Sequence, residues 1–116
     1  MLTEIEEDLI EELKDPEFAK GYGAESTRSE LGLALFHARQ QLKLTQKEVA
    51  EKAGVSQSYI AQIENGEVNI TSDAYGKILA VLGFKVTCIL EPLSPQEKEM
   101  DIVKVSTDIN TPWESK

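Results

Sequence analysis

The run from Leu42 to Gly66 constrains the fold more than any other part of this chain. Thr45 stands where a helix N-cap would, and Glu48 three residues on completes a capping box. Leu44 before that cap and Val49 in the next turn have the spacing of a hydrophobic staple. Gly54 follows the last helical alanine, where a left-handed residue ends a helix at little steric cost. Ser56 is placed to cap a second short helix, and Asn65-Gly66 has the composition of its C-terminal stop. The sequence therefore predicts two short helices joined by a tight turn.

Val49, Ala50 and Ala53 give the first helix a small inner face, while Ile60 and Ile63 lie about one turn apart on the second, with Val55 at the corner. The small Ala50 allows close approach of the two helices and Gly54 permits the sharp turn. That is the geometry of a helix-turn-helix, whose second helix enters the DNA major groove. Packing those helices leaves Gln57, Ser58, Tyr59 and Gln62 on the outer side. A hairpin that merely packs has no use for such a polar row.

The residues Thr45-Gln46, Ala50, Gly54-Val55-Ser56-Gln57, Ile60, Ile63-Glu64 and Asn65-Gly66 resemble the repressor-type (XRE, phage-repressor-like) helix-turn-helix family over roughly residues 26–83. The resemblance implies an all-α fold, a bundle of four to five helices, here with an acidic N-terminal helix and a short C-terminal strand. It implies DNA contacts from Thr45, Gln46, Lys47, Ser56, Gln57, Ser58, Tyr59, Gln62 and Asn65. Gln57 and Ser58 fall in the first turn of the second helix, where family members meet base edges. Gln46, at the start of the preceding helix, is expected to meet a phosphate through its side-chain amide and backbone N–H.

Charge divides the chain into three. The formal net charge of −9 is unusual for a DNA-binding protein, but residues 1–25 hold nine acids against two bases and residues 91–116 six against three. Residues 26–90, with six acids and seven bases, are close to neutral. The expected organisation is thus an acidic arm (1–25), a DNA-binding domain (26–90) and a tail (91–116). Arg39, Lys43, Lys47 and Lys52 lie near the motif and are candidates for phosphate contact. The second helix carries no Lys or Arg, so one copy should bind weakly and a homodimer is expected.

Residues 2–14 read as an amphipathic helix, with Leu2, Ile5, Leu9 and Leu13 in three- and four-residue steps and acids over the rest. Phe18 and Tyr22 follow in a connector, with Asp15-Pro16 ending the helix or opening another turn. Those six apolar residues are candidates for partner binding, because acids around an apolar stripe suit a basic groove; docking on the chain's own core remains the alternative. Ser26 or Thr27, with Glu30, is expected to cap the next helix, whose inward stripe is Leu31, Leu35, Ala38 and Leu42. Thr71 or Ser72 caps a further helix packed through Tyr75, Ile78, Leu79 and Leu82 and ended by Gly83. Phe84, Val86, Cys88 and Leu90 then alternate with Lys85, Thr87 and Ile89 as in a strand, pairing with 102–105 or with the same strand of a second copy.

The layout of Leu13-Lys14-Asp15-Pro16-Glu17-Phe18 ahead of a repressor-type domain and a short strand resembles the HigA-type antitoxins. That resemblance implies repression of its own operon and neutralisation of a basic, RelE/HigB-like mRNA interferase. Other readings are a stand-alone phage-like repressor and an interaction adaptor that does not bind DNA. No phosphate loop, dinucleotide fingerprint, nucleophile elbow or metal-ligand cluster occurs, so neither enzyme activity nor a cofactor or metal is expected. Lone Cys88 is read as a small buried hydrophobe and His37 as a surface or half-buried helix residue. One cysteine, no signal peptide and no membrane-length apolar run point to a cytoplasmic protein.

Overall fold

The computed structural model describes residues 2–94, and among them five helices: α1 (Glu4–Glu12), α2 (Pro16–Gln41), α3 (Gln46–Ala53), α4 (Gln57–Glu64) and α5 (Ser72–Val81). Residues 24–86 cohere as one compact unit; residues 2–23 and 87–94 belong to a second.

Within residues 24–86, the caps form as the side chains dictate. Thr45 Oγ1 accepts the Glu48 N–H at 3.0 Å and Glu48 Oε1 accepts the Thr45 N–H at 2.8 Å, closing the box that starts α3. Gly54 ends α3 with φ 72°. Ser56 and Thr71 cap α4 and α5 by accepting the N–H groups of Tyr59 and Ala74. Leu35, Val49, Ile60, Ile63, Tyr75, Ile78, Leu79, Leu82 and Ala50 make the core, with Leu31, Leu44, Ala53, Val55, Val68, Ile70 and Phe84 packed against it. Leu35, Val49 and Ile60 are completely buried. Each such side chain contributes about 1.5–3 kcal/mol, against about 1 kcal/mol for a cap. The caps set where helices stop; the core sets how strongly they hold.

Gly32 marks the closest approach of α2 to α4. A Cβ there would lie 2.3 Å from the Ile63 carbonyl oxygen and 2.8 Å from that of Glu64, so only glycine fits. Tyr75 ties α5 to α2 by donating its phenol to the Leu31 carbonyl at 2.6 Å.

Four expectations are corrected. The helix expected from Ser26 begins ten residues earlier. Asp15 Oδ1 accepts the Glu17 N–H, its carbonyl accepts the Ala19 N–H, and Pro16 opens the helix, so neither Ser26 nor Thr27 caps anything. Leu42 is 41 % exposed, because α2 stops at Gln41 and Leu44 takes the inward place instead. Residues 84–90 form no strand beyond an isolated bridge residue at Ile89. Phe84 is half-buried, but Val86 and Leu90 are exposed, so the alternation has no covered side there. Cys88 in that stretch is exposed rather than buried. The proposed pairing with 102–105 lies outside the described residues, as does most of the tail.

In the N-terminal segment, Thr3 caps α1 through a capping box with Glu6. Ile5 is 80 % exposed, while Leu2, Leu9 and Leu13 are half-buried. The rings of Phe18 and Tyr22, both half-buried on α2, stack with centroids 6.1 Å apart.

Candidate nucleic-acid interface

The sequence-predicted site residues cluster on α3, α4 and their caps. Lys47, Gln57, Ser58, Gln62 and Asn65 are all exposed. Because Ile60 and Ile63 point into the core, positions 57, 58 and 62 fall on the outward side of α4. Thr45 and Ser56 are exposed but their hydroxyls already serve the backbone, and Ser56 Oγ also lies 3.3 Å from Ser58 Oγ. Tyr59 differs from its expected place: it is half-buried and packs against the core, one position short of the buried Ile60.

Gln46 is half-buried at the first position of α3, and its Nε2 donates to Glu64 Oε1 at 3.0 Å. Glu64 is the last residue of α4, with a side chain only 5 % exposed. It also accepts Arg39 Nε on Oε2 at 2.8 Å and Arg39 Nη2 on Oε1 at 3.0 Å, a bidentate pair. Arg39 Nη1 donates to the Leu44 carbonyl at 3.0 Å, and the guanidinium lies 5.3 Å from the Phe36 ring centroid. The hydrogen bond to Glu64, aided by its charge and opposed by burial, holds the guanidinium above its ordinary pKa. Arg39 is thus turned inward onto Glu64, whereas Lys43, Lys47 and Lys52 are exposed.

Sequence reasoning missed this network. Arg39 and Glu64 stand 25 residues apart, and no local pattern joins them. The nearest signal was an Arg and a Glu each one helical turn from core positions, which any surface pair also shows.

Among the described residues no cluster of His, Cys, Asp or Glu could hold a metal ion, and no helix is long and apolar enough to cross a membrane. His37 is exposed and sits edge-on to Phe36, as a surface helix residue.

The helix-turn-helix family model matches residues 35–87, from the core leucine of α2 through the extended stretch after α5. Over 72 residues the chain is 36 % identical to the antitoxin HipB of Escherichia coli (strain K12), covering 61 % of this chain and 82 % of that protein. The chain belongs to the helix-turn-helix family. It is also 35 % identical over 80 residues to the immunity repressor protein of Bacillus phage phi105, covering 61 % of this chain and 56 % of the repressor. The chain therefore spans little more than half of the length of that relative. Helix-turn-helix proteins of this repressor type are DNA-binding regulators, and α4 is the recognition helix of the motif.

Proposed function

We propose that this protein is a cytoplasmic antitoxin that binds operator DNA as a homodimer, represses its own operon and neutralises a basic mRNA interferase of the RelE/HigB kind. One observation carries the reading: the chain joins a compact helix-turn-helix unit to a separate segment whose helix α1 presents acids around an exposed Ile5. A DNA-binding unit has no electrostatic use for those acids, whereas a basic protein partner does. The similarity to an antitoxin supports the same reading.

In this scheme Gln57, Ser58 and Gln62 read bases, while Thr45, Gln46, Lys47, Ser56 and Asn65 lie along the phosphates. With one amide hydrogen of Gln46 on Glu64, its phosphate contact falls to the backbone N–H and the other amide hydrogen. Leu2, Ile5, Leu9, Leu13, Phe18 and Tyr22 form the partner-binding set. The dimer uses the face of α5 and residues 84–90; within residues 24–86, Val81 and Val86 are 48 % and 44 % exposed.

The test identifies the gene beside this one and, where it encodes a small basic protein, co-expresses that protein with the full chain. Ile5→Asp with Leu9→Asp should abolish rescue of growth while operator binding survives. Rescue that persists in this variant sinks the arm's role. A stand-alone repressor, the reading favoured by the similarity to a phage immunity repressor, predicts operator binding with no toxin to rescue from.

A further inference from the structure

Four of the helix ends in residues 24–86 pass through a left-handed residue, and three of them use glycine: Gly54, Gly66 and Gly83, with φ of 72°, 71° and 91°. The fourth, between α2 and α3, uses Lys43 with φ 59°, and among the described residues it is the one non-glycine with positive φ. Its bonds are those of a Schellman turn. The Leu44 N–H donates to the Arg39 carbonyl at 3.1 Å and the Lys43 N–H to the Gln40 carbonyl at 3.0 Å. Glycine is the residue this geometry favours, and a Cβ there costs backbone energy.

Among the described residues no side chain offsets that cost. Lys43 is exposed, and among the described residues its ammonium takes part in no hydrogen bond or ion pair. Lys47, Lys52 and Lys85 share that state among the described residues, whereas Lys14, Lys20 and Lys77 pair with Glu11, Glu17 and Asp73; what sets Lys43 apart is its left-handed backbone. The turn that carries Lys43 is also held firmly. Arg39 grips both polar groups of Leu44, its carbonyl accepting the Leu44 N–H and its Nη1 donating to the Leu44 carbonyl. A strained residue on a rigid turn, carrying an unpartnered cation two residues before the α3 cap, has the character of a ligand clamp.

We propose that Lys43 is a phosphate-binding residue of the DNA interface, kept in place of glycine for its charge and at the expense of stability. The inference rests on the DNA-binding reading above. Residues 26–90 carry a surplus of one positive charge, and Arg39 is turned inward, so each remaining cation near the motif weighs heavily in counterion release.

The experiment compares the full-length wild type with Lys43→Gly, Lys43→Asn and Lys43→Arg. Melting curves are set beside binding to a duplex that the wild type selects from a randomised pool, measured across a salt series. Lys43→Gly should raise the melting temperature by roughly 3–6 °C. It should weaken DNA binding about five-fold at physiological salt and flatten the salt slope by about one unit. Lys43→Asn, which tolerates the left-handed region without the charge, should lose the same affinity and slope, and Lys43→Arg should keep both. A glycine variant that binds with unchanged affinity and slope overturns the proposal. So does one that melts no higher than wild type, because the conformation then stores no cost. Selection of no duplex by the wild type would instead overturn the DNA-binding reading, and this proposal with it.

Discussion

Arg39 and Glu64 meet through two parallel hydrogen bonds of 2.8 and 3.0 Å, joining the last turn of α2 to the last residue of the recognition helix. Their side chains are 13 % and 5 % exposed, so this is a buried pair. Removing one partner leaves the other charged and desolvated. Arg39→Met or Glu64→Gln should therefore cost about 3–5 kcal/mol in denaturant unfolding. The double change Arg39→Met with Glu64→Leu should recover much of that loss, since an apolar pair avoids the desolvation. A double variant as unstable as the singles combined would show that the pair contributes through something other than its mutual neutralisation.

Gly32 should tolerate no side chain. Gly32→Ala places a methyl group 2.3 Å from a backbone oxygen, and backbone yields less readily than a side-chain tip. The expected loss is about 3 kcal/mol, at the upper end of overpacking costs. Gly21→Ala, in the same helix with open space around it, should instead stabilise by about 1 kcal/mol. Chemical denaturation of the two variants side by side gives the check; equal effects would contradict the packing of α2 on α4.

Tyr75 makes the fold sensitive to alkali. Burial pushes its phenol above the ordinary value of 10.0. A folded-state pKa raised above the unfolded one means the folded chain holds its proton more tightly. The stability it contributes is complete below pH 10 and is lost as pH rises through the folded value. Unfolding midpoints should fall above pH 10, and Tyr75→Phe should flatten that fall while costing about 1 kcal/mol at neutral pH for the lost bond to Leu31.

Base reading by the outward face of α4 is checked by Gln57→Ala. A bidentate Gln–adenine contact is worth about 1–3 kcal/mol of discrimination. Sequence selection with the variant should lose preference at one adenine in each half-site while total affinity for random DNA stays nearly constant. An unchanged selected motif would remove Gln57 from the base-reading set.

Much of this architecture was legible in the residues. The cap at Thr45, the stops at Gly54 and Gly66 and the inward Ile60 and Ile63 all depend on neighbours within a few positions, and local patterns report local physics. What escaped depends on residues far apart in sequence. Gly32 looks like any mid-helix glycine until α4 lies on it, and Arg39 looks like a surface cation until Glu64 arrives. The start of α2 differs from expectation because Ser26 and Thr27, followed by Glu30, carry the local signature of a cap, yet the capped start at Asp15-Pro16 carries the helix through them. The strand signal at 84–90 failed because alternation shows only that a stretch suits a sheet, and supplies no layer to cover it. Within the candidate site, the exposure of Gln57, Ser58 and Gln62 followed from the two buried isoleucines, whereas the inward engagement of Gln46 did not.

The fixed helix ends have a consequence for how such a protein can change over generations. Left-handed residues stop the helices at set positions, the core holds them by their inner faces, and the Arg39–Glu64 pair locks the far end of α4. None of those anchors uses the side chain of Gln57, Ser58 or Gln62. The outward alphabet of that helix can thus be rewritten one letter at a time without disturbing the frame, and descendants can drift to new operators while inheriting the same scaffold.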